Sequence, residues 1–288
     1  MMFMLRLMTW ISLRLGRPVG RLILQLITSY FVLFSGSARS ASHNYLLRAL
    51  GRRPNWRDLY KHIFTFASTI HDRVYLINDR YDLFDISVHN EKIILDVLAE
   101  GRGAFLVGAH LGSFEVIRAM GRRHPGLRIA MVMYEENARK INSMLAAINP
   151  SIQQDIIPLG HIDTMLKVHS RLNEGTVLSM LADRSLGDDV TLPAPFLGYP
   201  AAFPTGPFRM AALLRQPVVF MTGLYLGANR YSIHFERLAD FSQTPQAERD
   251  AAIQTAINRY AILLEQYCRS APYNWFNFFD FWRPGPHH

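Results

Sequence analysis

The sequence predicts an α/β domain, a single unit with a central mixed or parallel sheet flanked by helices, preceded by a membrane-associating helix. Three observations carry that expectation. Short continuous apolar runs such as "GAFLVGAH" (residues 103–110) read as strands buried on both faces. These runs alternate with segments of helical periodicity. Hydrophobic residues make up 49% of 288 positions, enough for one substantial core. No repeat, low-complexity tract or linker divides the chain, so residues 1–41 are expected to form a basic hydrophobic anchor and 42–288 the domain.

The anchor is defined by charge. Residues 1–57 contain nine arginines and no Asp, Glu or Lys, while the remainder carries 22 Lys plus Arg against 23 Asp plus Glu. The whole excess of +8 is therefore N-terminal. The same segment is the most apolar of the chain, which argues against nucleic acid as its partner. Between Arg21 and Arg39 lies "LILQLITSYFVLFSGSA", 17 residues without a charge. That length is at the lower edge for crossing a bilayer, and Gln25, Thr28 and Ser29 weaken it further. Arginines interleaved with Leu, Ile, Phe and Trp suit a helix lying among anionic headgroups. Spanning and lying flat both remain open on these residues. The small residues "SGSA" also resemble a signal-peptide end, but the arginines that follow favour retention at the cytoplasmic face.

Further elements follow in order. Residues 42–100 read as helices: "WRDLYKHIFTFASTIHDRVYLI" spaces Leu59, Ile63, Phe66 and Ile70 three or four apart, and "NEKIILDVLAEG" stops at Gly101. The strand ending at His110 precedes a helix expected over "SFEVIRAMG" (113–121), with Ser113 near its cap. "LRIAMVMY" (127–134) and "TVLSMLAD" (176–183) are strands, separated by helices over 137–149 and 162–175. "PVVFMTGLY" and "RYSIHFERL" are two more strands, and residues 245–270 form a long helix with Pro245 near its start. The aromatic stretch "APYNWFNFFDFW" (271–282) reads as a C-terminal plug on the core or a membrane-surface belt.

The chemistry is expected at His110 and Glu115. Their five-residue spacing alone proves little, because His169 and Glu174 share it. Five helical residues turn the chain by roughly 140°, so one helix would not bring such a pair together. A strand-end histidine, a turn at Gly112 and a glutamate in the next helix's first turn could meet, as a base and its orienting carboxylate must. His169 sits in an ordinary helical segment and serves as the control. Asp183 and Arg184 fall at a predicted strand end, the place equivalent to His110, where open α/β sheets bind ligands. Thr205 and Gly206, before Pro207, have the form of a helix start offering a cap hydroxyl and free N–H groups. The apolar stretch Phe196, Leu197, Tyr199, Phe203 and Phe208 reads as a ligand slot, a membrane contact or core.

Several classes are excluded. One cysteine, Cys268, permits no internal disulfide or Cys-based zinc cluster. No HExxH, GxGxxG, Walker or GxSxG pattern occurs, so metal, dinucleotide, nucleotide and serine-hydrolase chemistry are not expected.

"GAHLGSFE", followed by "LADRS" and "PFLGYPAAFPTGPFRMA", resembles the late acyltransferases of bacterial lipid A biosynthesis, within the wider HX4(D/E) glycerolipid acyltransferases. The resemblance runs over most of the chain. "YEENARKINSML" occupies the place of that family's Arg/Asn-containing segment, which makes Asn137 and Arg139 substrate-binding candidates alongside Gly112, Asp183, Arg184, Thr205 and Gly206. The resemblance implies transfer of a fatty acyl chain from an acyl carrier protein to a hydroxyl of a lipid acceptor, at the cytoplasmic face of the inner membrane, without cofactor or metal. His110 is then the general base and Glu115 its orienter. Oxyanion donors are expected from backbone N–H groups near Gly112 or from Arg184, and acyl chains along Phe196–Phe208. A lysophospholipid acceptor, or a non-catalytic lipid-binding protein of the same fold, are the alternatives.

Overall fold

The computed structural model of the chain describes residues 2–117, 124, 126–149, 155–161, 163–185 and 189–282. Positions 118–121, 150, 162 and 186–188 of the expected elements lie outside the described residues. The strands are β1 (Asp85–His89), β2 (Ala104–Gly108), β3 (Ile129–Tyr134), β4 (Ile156–Leu159), β5 (Val177–Leu181), β6 (Thr191–Phe196), β7 (Tyr199–Pro204), β8 (Pro217–Gly227) and β9 (Arg230–Asp240). Seven of them form one sheet in the order β1-β9-β8-β2-β5-β3-β4, and β6 with β7 forms a separate hairpin. Within the large sheet every pairing is parallel except that of β8 with β9. The sheet is therefore mixed, with β2 near its centre.

The helices are α1 (Met2–Phe34), α2 (Gly36–Leu50), α3 (Trp56–Ile77), α4 (Glu91–Ala99), α5 (Glu135–Ile148), α6 (Thr164–Asn173), α7 (Gly206–Leu213) and α8 (Arg249–Ser270). All five residues of β2 are buried, as a strand covered on both faces must be. Strand alternation sorts them. Phe105 and Val107 join Leu178, Phe220 and the α8 residues Tyr260 and Leu264 in one core layer. Ala104 and Leu106 join Val219, Ile233 and the α4 residues Ile94 and Val97 in the other.

Two expectations need correction. The region 42–100 is not wholly helical: "DISVH" forms the edge strand β1 against β9. Its five residues are too short and polar to announce a strand. The Pro-rich stretch after Asp183 forms an unexpected β-hairpin, and of its three open readings the core one holds, with Phe196, Leu197, Phe203 and Phe208 buried beside Trp275 and Phe281. Only Tyr199 stays exposed among them.

The N-terminal helix is docked on the domain. It breaks helical geometry at Gly16, two residues before Pro18. Arg17 then meets the fully buried Asp72 of α3 through two hydrogen bonds of 2.7 Å, and Tyr231 of β9 donates to the same carboxylate at 2.8 Å. Arg21 donates to the Tyr225 hydroxyl at 2.8 Å, and Tyr75 to the Ser12 carbonyl at 2.9 Å. Gly20 makes this approach possible, since a Cβ there would lie 2.2 Å from His71 Nε2. Leu22, Leu26, Tyr30, Phe31, Leu33 and Phe34 remain exposed on α1. No single helix among the described residues is long and apolar enough to cross a membrane. Met8–Phe34 and α2 meet that measure only together, bent by 91°.

Removing one partner of a buried ion pair leaves an uncompensated charge. Asp72→Ala is therefore expected to lower the unfolding free energy by about 3 kcal/mol, measured by denaturant titration. An unchanged midpoint would show that α1 docking adds nothing to the fold.

Candidate active site

Strand register builds the site. β2 and β5 lie side by side in parallel, with Gly108 opposite Leu181. His110 and Asp183 each follow two residues later, so they leave the same carboxyl edge as neighbours. The Ala182 N–H donates to the Gly108 carbonyl at 3.0 Å, continuing the ladder, and the buried Tyr260 hydroxyl donates to the same carbonyl at 2.9 Å.

Asp183 is fully buried and accepts three hydrogen bonds. The His110 backbone N–H reaches Oδ2 at 3.0 Å, His110 Nδ1 reaches Oδ1 at 2.9 Å, and the Trp275 indole reaches Oδ2 at 2.9 Å. Burial alone would raise this carboxyl. The charge and hydrogen bond of His110, the Arg184 guanidinium and the indole outweigh it and hold Asp183 well below the usual carboxylate range. An ionised carboxylate only accepts, so Nδ1 carries a proton, and in the neutral ring Nε2 is then the nitrogen with the lone pair. Nε2 has no protein partner among the described residues, and 34% of the His110 side chain is exposed. A base with its outer nitrogen open and its inner nitrogen fixed is the arrangement needed for proton abstraction.

The loop after His110 is clamped on both sides. The His110 carbonyl accepts from Phe276 N–H at 2.8 Å, Gly112 N–H donates to the Asn274 carbonyl at 2.8 Å, and Ser113 N–H donates to the Gly223 carbonyl at 2.7 Å. Gly112 has φ +74°, and a Cβ there would lie 2.1 Å from the Gly223 carbonyl oxygen. Only glycine fits that crossing. The aromatic C-terminus is thus a strap over the sheet edge, as the plug reading expected. Its Asn274 side chain accepts from Tyr225 N–H at 2.7 Å and donates to the Tyr225 carbonyl at 3.1 Å. His62 of α3 supports the strap from behind. Its Nε2 lies 2.8 Å from the Trp275 carbonyl and its Nδ1 2.8 Å from the Ser42 hydroxyl. A carbonyl can only accept, so Nε2 bears the proton and Ser42 donates to Nδ1.

The expected site residues separate into those the structure gathers and those it does not. His110, Asp183 and Gly112 share one network, and Arg184 joins it by donating from Nη2 to the Phe276 carbonyl at 2.7 Å. Glu115 does not orient His110. It stands in a 3-10 turn (Phe114–Ile117), buried, with Oε1 3.2 Å from Arg73 Nε of α3. No hydrogen bond or ion pair among the described residues joins it to His110, whose Nδ1 belongs to Asp183. The physical reason is the positive φ of Gly112, which sends the chain across β8 and toward α3. Nor is the Gly112 N–H free for an oxyanion, because Asn274 holds it. Thr205 stands at the N-cap of α7, the helix start the sequence indicated, but its hydroxyl does not cap: it is buried and donates to the Val190 carbonyl at 3.0 Å, while Gly206 is exposed. Asn137 and Arg139 lie on α5, just past β3, and Arg139 is solvent-facing with Glu135 at 4.0 Å. His169 is exposed on α6, 3.2 Å from Asn173, and takes no part. Trp275, His62 and Tyr260 were not foreseen as site residues. Among the described residues no group of three His, Cys, Asp or Glu side chains could hold a metal ion.

Burial lowers both His62 and His71 to about 4. Between pH 6.5 and 4 the unfolded chain binds protons that the native chain refuses. Stability is therefore full above pH 6.5 and falls toward pH 4, by about 3 kcal/mol for each histidine. His62→Gln keeps an N–H for the Trp275 carbonyl without titrating, and should remove about half of that slope in denaturant melts across this range.

The profile of the family described as bacterial lipid A biosynthesis acyltransferase matches residues 5–284. A search of curated proteins gives no match. The match takes in nearly all of α1, both edge residues His110 and Asp183, and the whole aromatic strap. The chain belongs to the bacterial lipid A biosynthesis acyltransferase family.

Proposed function

We propose that this acyltransferase moves a fatty acyl chain from an acyl carrier protein thioester to a hydroxyl of a lipid A precursor, with His110 as general base and Asp183 as its orienting carboxylate. The observation that carries this reading is the bond from His110 Nδ1 to the buried Asp183, which leaves Nε2 open at the sheet edge. Nε2 takes the proton of the acceptor hydroxyl as its oxygen attacks the thioester carbonyl. Asp183 stabilises the imidazolium that forms and remains ionised itself. The tetrahedral oxyanion needs a donor. Arg184 is the candidate, since its Nε has no protein partner among the described residues. Collapse breaks the C–S bond, and the imidazolium returns the proton to the departing thiolate. The products are the acyl ester and the free carrier thiol, and no step calls for a metal or cofactor.

The N-terminal helix supplies location. Its exposed Leu22, Leu26, Phe31 and Phe34, flanked by arginines, suit insertion into the cytoplasmic leaflet of the inner membrane. The same positive charge suits an acidic carrier protein as donor.

Turnover with acyl carrier protein and a lipid A precursor tests the assignment. His110→Ala should abolish transfer, and unchanged turnover would sink it. Asp183→Asn should reduce kcat by roughly a thousandfold or more by disturbing the tautomer. Glu115→Gln, which leaves Nδ1 untouched, should cost clearly less. The reverse order would return the orienting role to Glu115.

A further inference from the structure

A second basic site lies at the elbow between α1 and α2. A cleft of about 430 Å³ opens there, lined among others by Arg39, Ser40, His43, Arg53, Asn55 and Trp56. That volume is within the range of small-ligand sites, about 300–1,000 Å³. No Asp or Glu lines it. Asp58, two residues past Trp56, is neutralised by two hydrogen bonds from Arg52, at 2.8 and 3.0 Å, and another from Tyr273 at 2.7 Å. The Arg53 guanidinium, the His43 ring and the Asn55 amide N–H groups have no protein partner among the described residues, so they are available as donors. Arg39 is held in place by its bonds to the Val32 and Leu33 carbonyls, at 2.7 and 2.9 Å, with its guanidinium over the Trp56 ring.

Two cations with no carboxylate select an anion, and a guanidinium pair suits the oxygens of a phosphate. The rim says where that phosphate comes from. Tyr30, Phe31, Leu33 and Phe34, all exposed, end α1 immediately before the elbow, and Trp56 is 60% exposed on the opposite rim. Aromatic residues in such a belt sit at the level of lipid headgroups. We infer that the elbow cleft binds the phosphate of a membrane lipid headgroup. It shares no lining residue with the His110–Asp183 network. The cleft opens on the first turn of α3, about 10 Å along that helix from His62. The inference rests on the reading of α1 as lying in the membrane surface.

Cosedimentation of the full chain with three vesicle types tests it: phosphatidylcholine alone, the same with phosphatidic acid, and the same with oleate at equal negative charge. Binding to all three through α1 is expected, with phosphatidic acid preferred over oleate. Arg53→Gln combined with His43→Gln should weaken binding to phosphatidic acid vesicles by about fivefold or more, down to the oleate level, while leaving phosphatidylcholine binding unchanged. Arg57→Gln, on α3 but outside the cleft, should lower both anionic types equally. A wild-type chain that does not distinguish phosphatidic acid from oleate, or a double variant that still does, overturns the site alone. Failure to bind any vesicle overturns the membrane reading together with the site. Displacement by millimolar inorganic phosphate makes the ligand the free anion and overturns the lipid assignment.

Discussion

The carboxylate of Asp183 ties together three parts of the chain that arrive from different directions. It receives the backbone and ring of His110 from the end of β2 and the indole of Trp275 from the C-terminal strap, while itself extending β5. A fully buried carboxylate without such partners would carry a severe desolvation penalty. The three donors offset that penalty, and each is positioned in turn by another contact. Trp275 is anchored through its carbonyl by His62, and His110 through its carbonyl by Phe276. The need to keep one charge stable in the core thereby fixes His110, its Nδ1 proton and the strap together. Polar networks of this kind are costly when incomplete, which explains why the aromatic tail lies so closely over the sheet edge.

Much of this was legible in the sequence. The runs ending at His110 and Asp183 read as buried strands, which the structure ends two residues earlier, and Asp183 was placed at the position equivalent to His110. The missing step was adjacency. Nothing in a linear pattern says that β5, rather than another parallel strand, lies beside β2, and once it does the two side chains must meet. The strand–turn–helix context pointed to Glu115 because it was local, and a local reading does not register which way the positive φ of Gly112 sends the chain. The strand β4, "IIPL", was hidden for a different reason. It is four residues long at an edge and contains a proline, which edge strands tolerate. The hairpin of β6 and β7 was hidden by its prolines in the same way. Trp275 and His62 carried no signal at all, since their roles depend on contacts across 92 and 213 positions.

The N-terminal segment illustrates the opposite case, where charge and hydropathy indicated an environment but not a contact. Nine arginines among apolar residues suggested a lipid surface. Two of them face inward instead: Arg17 is spent on Asp72 and Arg21 on Tyr225. Arg39 likewise closes the last carbonyls of α1. Composition alone overstates the charge offered outward, and the exposed apolar side chains of the second half of α1 matter more for its orientation.

Helix α3 joins the two halves of this arrangement. His62, which supports the strap, and Asp72, which receives Arg17, lie ten residues apart on it, a separation of about 15 Å along an α-helix. Both are fully buried and both are held by hydrogen bonds rather than by apolar contact alone. One element of 22 residues therefore sets the distance between His110 and the docked part of α1. In the proposed function the acceptor is a membrane lipid, whose hydroxyl stands at a height above the acyl layer fixed by its own structure. An enzyme whose apolar helix floated on a loose tether would meet that hydroxyl at variable height. With α1 locked to α3 by a buried ion pair and His110 locked to α3 through Trp275 and Asp183, the height of Nε2 above the apolar face of α1 is set by the fold itself.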